Sequence, residues 1–265
     1  MKSAYKISYV SPHSLASLPK STPVLLAFSG GADSSALFSL LVQDSKIKGY
    51  PLYAAHFNHG IRGEEAERDA EFCQNVAKQF DVPFFLGSAD VPALARAHGN
   101  SIEQEAREQR YAFFEKIMRE HHIPILVTAH HADDQVETVL LHLLRGSGVN
   151  GLAGIKEHRI FCGDLHIVRP LLRAEKSDIL AYCKENGVDF VTDSTNDDTA
   201  YARNFIRSEL TPRMRELQPN LSMVFARLSR SAADADDFVS CEARKFIENE
   251  CAEQISLTKF NSLLN

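Results

Sequence analysis

Through its first 130 residues the chain alternates short, largely apolar runs with longer stretches in which apolar residues return at helical spacing. Residues 23–28, 52–57, 82–86 and 124–129 predict strands buried on both faces, because their apolar positions are continuous rather than alternating. Residues 33–42, 64–80 and 101–122 predict amphipathic helices between them. Ser101-Ile102-Glu103-Gln104 follows the capping-box pattern, which makes that helix start the best marked. A further strand at 166–171 and a helix at 175–185 keep the rhythm. Such alternation implies an α/β fold, a mostly parallel sheet with helices on both faces. Beyond about residue 212 the rhythm stops, and Pro212, Pro219 and helical periodicity up to Phe246 predict an all-helical extension. The chain therefore divides into an α/β domain, residues 1–212, and a helical stretch, residues 213–265.

Composition narrows the class. Of 265 residues, 44% are hydrophobic and 24% charged, as in an ordinary globular protein rather than a disordered or fibrous one. No apolar run approaches the roughly 18–20 residues of a membrane span. The N-terminus carries no contiguous apolar signal core, so a cytoplasmic protein without a membrane partner is expected. Five cysteines (Cys73, Cys162, Cys183, Cys241 and Cys251) are scattered and never in CxxC spacing. That disfavours a disulfide framework, a zinc ribbon or a cysteine relay. The formal net charge of −6 argues against a surface coated for nucleic-acid binding, yet leaves room for a local basic patch. Residues 203–230 fit one: six arginines stand against Glu209 and Glu216, a local balance of +4. Either a basic stripe for phosphate contacts or ordinary salt bridging on a helical surface explains it.

The most informative stretch is the buried run ending in Ser29-Gly30-Gly31-Ala32-Asp33-Ser34-Ser35, after which a helix begins. Glycines let the backbone approach a ligand, and a helix start offers free N–H groups to an anion. Ser29, Ser34 and Ser35 add hydroxyl donors. Asp33 would repel a phosphate directly but suits a divalent cation placed between them. A tight turn with Asp33 as N-cap is the plainer alternative. His56-Phe57-Asn58-His59-Gly60-Ile61-Arg62 follows the second strand, at the carboxyl end where open α/β sheets hold ligands. Its histidines and asparagine suit adenine or ribose, and a polar capping loop explains His59 equally well. Arg107 and Arg110 share a face of the third helix with Tyr111 nearby. Thr128-Ala129-His130-His131-Ala132-Asp133-Asp134-Gln135-Val136-Glu137-Thr138 ends a strand and opens a helix on which Asp134 and Glu137 are i, i+3 neighbours. Two such carboxylates hold a metal or recognise a cationic substrate. The glycine-rich run from Leu144 to Gly154 suits a loop that folds over a bulky substrate, or a flexible surface loop.

Ser29-Gly30-Gly31-Ala32-Asp33-Ser34 resembles the SGGxDS signature of the PP-loop ATP pyrophosphatases, enzymes that split ATP between its α- and β-phosphates. That motif does not choose among their branches. The further segments do, with Arg169-Pro170-Leu171-Leu172, Asp193-Ser194-Thr195-Asn196 and Arg203-Asn204-Phe205-Ile206-Arg207. In order and spacing, over roughly residues 22–212, they resemble the tRNA(Ile)-lysidine synthetase family.

That resemblance implies an adenine-nucleotide alpha-hydrolase-like fold and an ATP- and Mg²⁺-dependent ligase. Lysine would be joined to C2 of the cytidine at the first anticodon position of isoleucine tRNA with a CAU anticodon. The route runs through an adenylated cytidine and gives lysidine, AMP and pyrophosphate. Backbone groups of Ser29, Gly30, Gly31, Ala32, Asp33, Ser34 and Ser35, with His56 and Asn58, would hold the nucleotide, and Asp33 the metal. Arg110 would stabilise the leaving pyrophosphate. His130, Asp134 and Glu137 would hold L-lysine, and Arg62, Arg145, Arg203, Asn204 and Arg207 would contact tRNA. The same resemblance makes residues 1–212 the catalytic domain and residues 213–265 the start of a tRNA-contacting domain that continues further in many members. Assembly is left open, a homodimer included.

A free lysine amine has a pKa near 10.4, so only about one in two thousand is neutral at pH 7. The site must therefore take up a proton or depress that value, and a carboxylate alone pushes it the other way. A PP-loop tRNA thiolase is the main alternative, but it calls for cysteines near the site. A nucleotide-binding module without turnover would need only the phosphate loop.

Overall fold

The computed structural model describes Leu15, residues 18–192 and residues 202–251. Six strands form one sheet: β1 (Val24–Ala27), β2 (Leu52–Asn58), β3 (Phe84–Ser88), β4 (Ile125–Val127), β5 (His158–Cys162) and β6 (Leu165–Val168). Their order is β3-β2-β1-β4-β6-β5, parallel throughout except for β5, which pairs antiparallel with β6. The five expected strands all form within a few residues of their expected ends.

Alternation along each strand divides the core. Val24 and Leu26 of β1 face one way, with Ile125 and Val127 of β4, onto α1 (Ala32–Lys48), α2 (Glu64–Gln79) and α7 (Lys176–Asn186). Leu25, Leu126 and Ile167 face the other way, onto Phe114, Ile117 and Met118 of α4 (Ile102–Glu120). Burial on both faces is why these strands read as continuous apolar runs. Ser101 caps α4 as expected, its hydroxyl accepting from the Gln104 N–H at 3.2 Å.

Three features depart from the sequence reading. α1 runs six residues beyond position 42, because Asp44 is buried against the Tyr50 hydroxyl and Lys48, and Gly49 closes the helix in the left-handed region. An unexpected helix, α3 (Val91–His98), starts at Asp90, whose carboxylate accepts from the Ala93 N–H. Strand β5 was also unexpected, since it is a half-exposed edge that lacks an apolar run.

The helical part begins at α8 (Ala202–Phe205) and continues through a π-helical turn (Ile206–Leu210) into α9 (Thr211–Leu217) and the long α10 (Leu221–Cys251). Ile206, Leu221 and Phe225 pack on Val136, Val139 and Leu140 of α5 (Ala132–Leu144), a third small core. The glycine-rich run contains the short helix α6 (Val149–Leu152), anchored to the helices beside it. His142 Nδ1 meets the Gly151 carbonyl at 2.6 Å and Asn150 donates to Asp236 at 2.8 Å. A Cβ on Gly151 would lie 2.3 Å from that of Ser147, so close packing explains that glycine.

Candidate active site

Strand order reverses between β1 and β4, and their carboxyl ends open a crevice there. A cavity of about 490 Å³ fills it, running from the glycine loop after β1 to Arg110 and Tyr111 of α4. Gly30 has φ +86°, and a Cβ there would lie 3.0 Å from both Cys73 Sγ and Val191 Cγ2, so only glycine fits. Gly31 caps α1 without a side-chain partner, leaving the first N–H groups of that helix for a ligand. Two of the expected hydroxyl donors are turned inward instead. Ser34 Oγ donates to the Gly31 carbonyl at 3.0 Å and Ser35 Oγ to the Gly30 carbonyl at 3.1 Å. These bonds shape the loop, while Ser29, 3.0 Å from Ser34 Oγ, lines the cavity.

Opposite the loop, His56 Nδ1 sits 2.9 Å from the Phe28 carbonyl and ties β2 to β1 while its ring lines the cavity. Asn58 accepts from the Gly60 N–H at 2.9 Å. His59 is pushed down to about 4 by burial, with Arg110, His56 and Arg62 beside it acting in the same direction, and its Nδ1 is buried without a hydrogen-bond partner. Arg110 faces the cavity with its guanidinium carbon 5.7 Å from the Tyr111 ring centre. Burial lowers its proton affinity, and it makes no ion pair among the described residues.

The end of β4 supplies the remaining wall. Thr128 Oγ1 meets His130 Nδ1 at 2.9 Å, and burial pushes His130 down to about 4, so the imidazole is neutral. The N-cap of α5 is His131. His131 accepts from the Asp133 N–H, and Asp134 returns the bond by accepting from the His131 N–H at 2.9 Å, a reciprocal capping box. The other nitrogen of His131, Nε2, lies 3.7 Å from Asp33 and 3.6 Å from Asp134. Burial alone would raise the Asp134 carboxyl, but His131, His130, that backbone bond and Arg203 together hold it below its usual range.

Asp33 and Asp134 also line a second chamber, of about 690 Å³, on the far side of the same wall. Here acids and cations are matched. Lys176 Nζ donates to both oxygens of Asp33, at 2.7 and 2.8 Å. Arg215 bonds Asp133 and, at 2.9 Å, the Ser222 hydroxyl. Glu137, 1% exposed, accepts from Arg203 at 2.8 Å and from Arg207 at 2.6 and 3.1 Å. Arg203, Arg207 and Arg215 lie on one stripe at i, i+4 and i+12 across the π-helical turn, and the stripe faces the acids of α5.

Of the two readings of residues 203–230, salt bridging describes Arg203 and Arg207, which Glu137 holds, while Arg213, Arg227 and Arg230 remain on the surface. Asn204 is half-buried on the same turn, Arg145 is exposed at the end of α5, and Arg62 pairs with Asp69 at 3.2 Å. Gly30, Gly31, Ala32 and Ser35 shape the loop from behind, while Ser29, Asp33, Ser34, His56, Asn58, Arg110, His130 and Asp134 line the first cavity together. The segment Asp193-Ser194-Thr195-Asn196 lies outside the described residues. Sequence reasoning missed His131, Arg169, Lys176 and Arg215. Arg169 stood in a quoted motif, but nothing local marks Lys176 or Arg215, which meet their partners only through the fold.

Among the described residues no three His, Cys, Asp or Glu side chains are arranged to hold a metal on their own. No helix among them is long and apolar enough to cross a membrane.

The PP-loop domain family matches residues 4–214. Curated relatives include a tRNA(Ile)-lysidine synthase from Parabacteroides distasonis, 41% identical over 231 residues, covering 86% of this chain and 51% of that protein. One from a Thermotoga species is 37% identical over 225 residues, covering 85% and 53%. The chain spans about half the length of the curated relatives it matches. Among solved structures, the U34-tRNA thiolase NcsA from Methanococcus maripaludis shares the fold, with a TM-score of 0.68 over 85% of this chain and 77% of that one, at 17% identity.

Proposed function

The chain belongs to the PP-loop domain family, and from that premise we propose that it is the catalytic part of an ATP-dependent ligase joining lysine to C2 of a tRNA cytidine. The tRNA is the isoleucine acceptor with a CAU anticodon, and residues 213–265 open its tRNA-contacting part. The observation that carries this reading is the pair of chambers that share Asp33 and Asp134, one faced by Arg110, which has no ion pair among the described residues, and one lined by carboxylates that are each held by a cation. A reaction between a polyanionic nucleotide and an amino acid with two ammonium groups needs both. The 41% identity to a tRNA(Ile)-lysidine synthase supports the same choice.

On this reading the loop N–H groups and the start of α1 hold the phosphates of ATP. Arg110 faces the charge that develops as pyrophosphate leaves the α-phosphate and the cytidine O2 takes its place. Asp33 fits a Mg²⁺ ion, since both its oxygens already converge on a cation, and such an ion is commonly held by one or two carboxylates plus substrate phosphates. When bound, that ion neutralises charge on the phosphates.

Lysine enters through the second chamber. Its ε-amine attacks C2, and AMP departs with the former O2. The ammonium first gives up a proton. Asp134 lines both chambers, whereas His130 lines only the nucleotide cavity, so position favours Asp134 as the acceptor.

The test is incubation with ATP, labelled lysine and CAU-anticodon tRNA. Lysine in the tRNA with stoichiometric AMP and pyrophosphate is the expected result. ATP cleavage without lysine incorporation would refute the ligase.

A further inference from the structure

Arg107, Arg110 and Arg169 gather around Tyr111, a residue that lines the nucleotide cavity, and Arg159 stands beside Arg169. Residue spacing explains the convergence. On α4, positions 107, 110 and 111 are i, i+3 and i+4 and share a face. On the β5–β6 hairpin, Arg159 stands opposite Ile167, and Arg169 lies two residues beyond Ile167 on an extended ladder. Both therefore project to the side of the sheet that carries Ile167, which α4 covers. The guanidinium carbons of Arg107 and Arg110 lie 5.0 and 5.7 Å from the Tyr111 ring centre, and Arg169 stands against the Tyr111 hydroxyl.

Arg169 is 4% exposed and donates to the Lys156 carbonyl at 2.5 Å, yet its Nε is buried without a hydrogen-bond partner, as is the Nε of Arg159. None of the four forms an ion pair among the described residues. Buried cations without a counter-ion are costly, and guanidinium forks suit the oxygens of phosphates.

We propose that Arg107, Arg159 and Arg169 form an anion subsite for the sugar–phosphate backbone of the RNA substrate, beside the base that enters the nucleotide cavity. The proposal rests on the ligase reading above. Two observations favour an RNA phosphodiester over the phosphates of ATP. Ser29, Ser34 and Arg110 line the cavity that suits the triphosphate, whereas Arg107, Arg159 and Arg169 do not line it. The cluster also runs from exposed Arg107 through half-buried Arg159 to buried Arg169, the path of a strand whose base is splayed inward from solvent.

The test compares wild-type protein with R107Q/R159Q, leaving buried Arg169 in place. Binding of a CAU anticodon stem–loop RNA is measured over a salt series, and binding of a non-hydrolysable ATP analogue in parallel. We expect RNA binding to fall about tenfold at low salt and the slope of log affinity against log salt to flatten by about 1.4, since each single-strand phosphate contact contributes about 0.7. ATP-analogue affinity and melting temperature stay unchanged, and R107K/R159K recovers most of the binding. Unchanged RNA affinity and slope overturn the proposal, as does an equal loss of ATP-analogue affinity, which would assign the arginines to the nucleotide. Wild-type protein that binds the RNA yet ligates no lysine overturns the ligase reading and leaves the subsite standing.

Discussion

The nucleotide cavity and the second chamber share Asp33 and Asp134 but balance charge in opposite ways. In the cavity, Arg110 has no acidic partner among the described residues, and His59 and His130 are held neutral by burial and neighbouring cations. In the second chamber, Asp33 meets Lys176, Asp133 meets Arg215, and Glu137 meets both Arg203 and Arg207. An anionic ligand entering the first completes a charge set. A cationic ligand entering the second must take the place of a cation already there, so its affinity is a difference between two ion pairs. Such a chamber selects by shape and by number of donors more than by raw attraction.

The comparison breaks most sharply at the shared wall. D33N keeps the side-chain shape but removes the charge facing Lys176, and pyrophosphate release should fall by at least about a hundredfold, as when a group that stabilises transition-state charge is lost. Near-normal release in D33N would remove Asp33 from the chemistry. R110Q tests the cavity alone: release should fall about tenfold to a hundredfold with the lysine KM unchanged. A raised lysine KM in R110Q would mean that the chambers are not separate.

Acid should strike the cavity first. His59 and His130 are neutral in the fold at about 4, below the ordinary 6.5. Between these values the unfolded chain binds more protons, so the stability they contribute is complete above about 6.5 and is lost as pH falls towards about 4. Melting temperature should drop through that window and drop less in H59N. A drop of equal size in H59N would clear His59. The smallest effect belongs to K176Q, which frees Asp33 of its half-exposed partner. Half-saturating Mg²⁺ for pyrophosphate release should fall about two- to threefold, in keeping with the modest strength of such pairs. An unchanged Mg²⁺ requirement would mean that Lys176 does not compete there.

How much of this was legible in the sequence follows from how local each feature is. The parallel strands and the glycine loop were, because burial on both faces and a glycine-to-helix turn leave their mark within a few residues. Strand β5 and helix α3 were not: one is an exposed edge and the other a short helix of eight residues. The arginines at 203, 207 and 215 were visible only as part of a run of six in residues 203–230, without the side they face. That direction is fixed by Ile206, Leu221 and Phe225 packing on α5, a contact between segments some seventy residues apart. Lys176 reaches Asp33 across 143 positions and carries no local signal.

The division into an anion chamber and a cation-exchange chamber is tested most directly by E137Q, read as two Michaelis constants. Removing the charge of Glu137 releases Arg203 and Arg207 into the second chamber while leaving the nucleotide cavity, which Glu137 does not line, as it is. The expected result is a lysine KM raised at least about tenfold, with the ATP KM unchanged and adenylated tRNA still formed when lysine is withheld. Equal increases in both constants, or loss of adenylation, would contradict it.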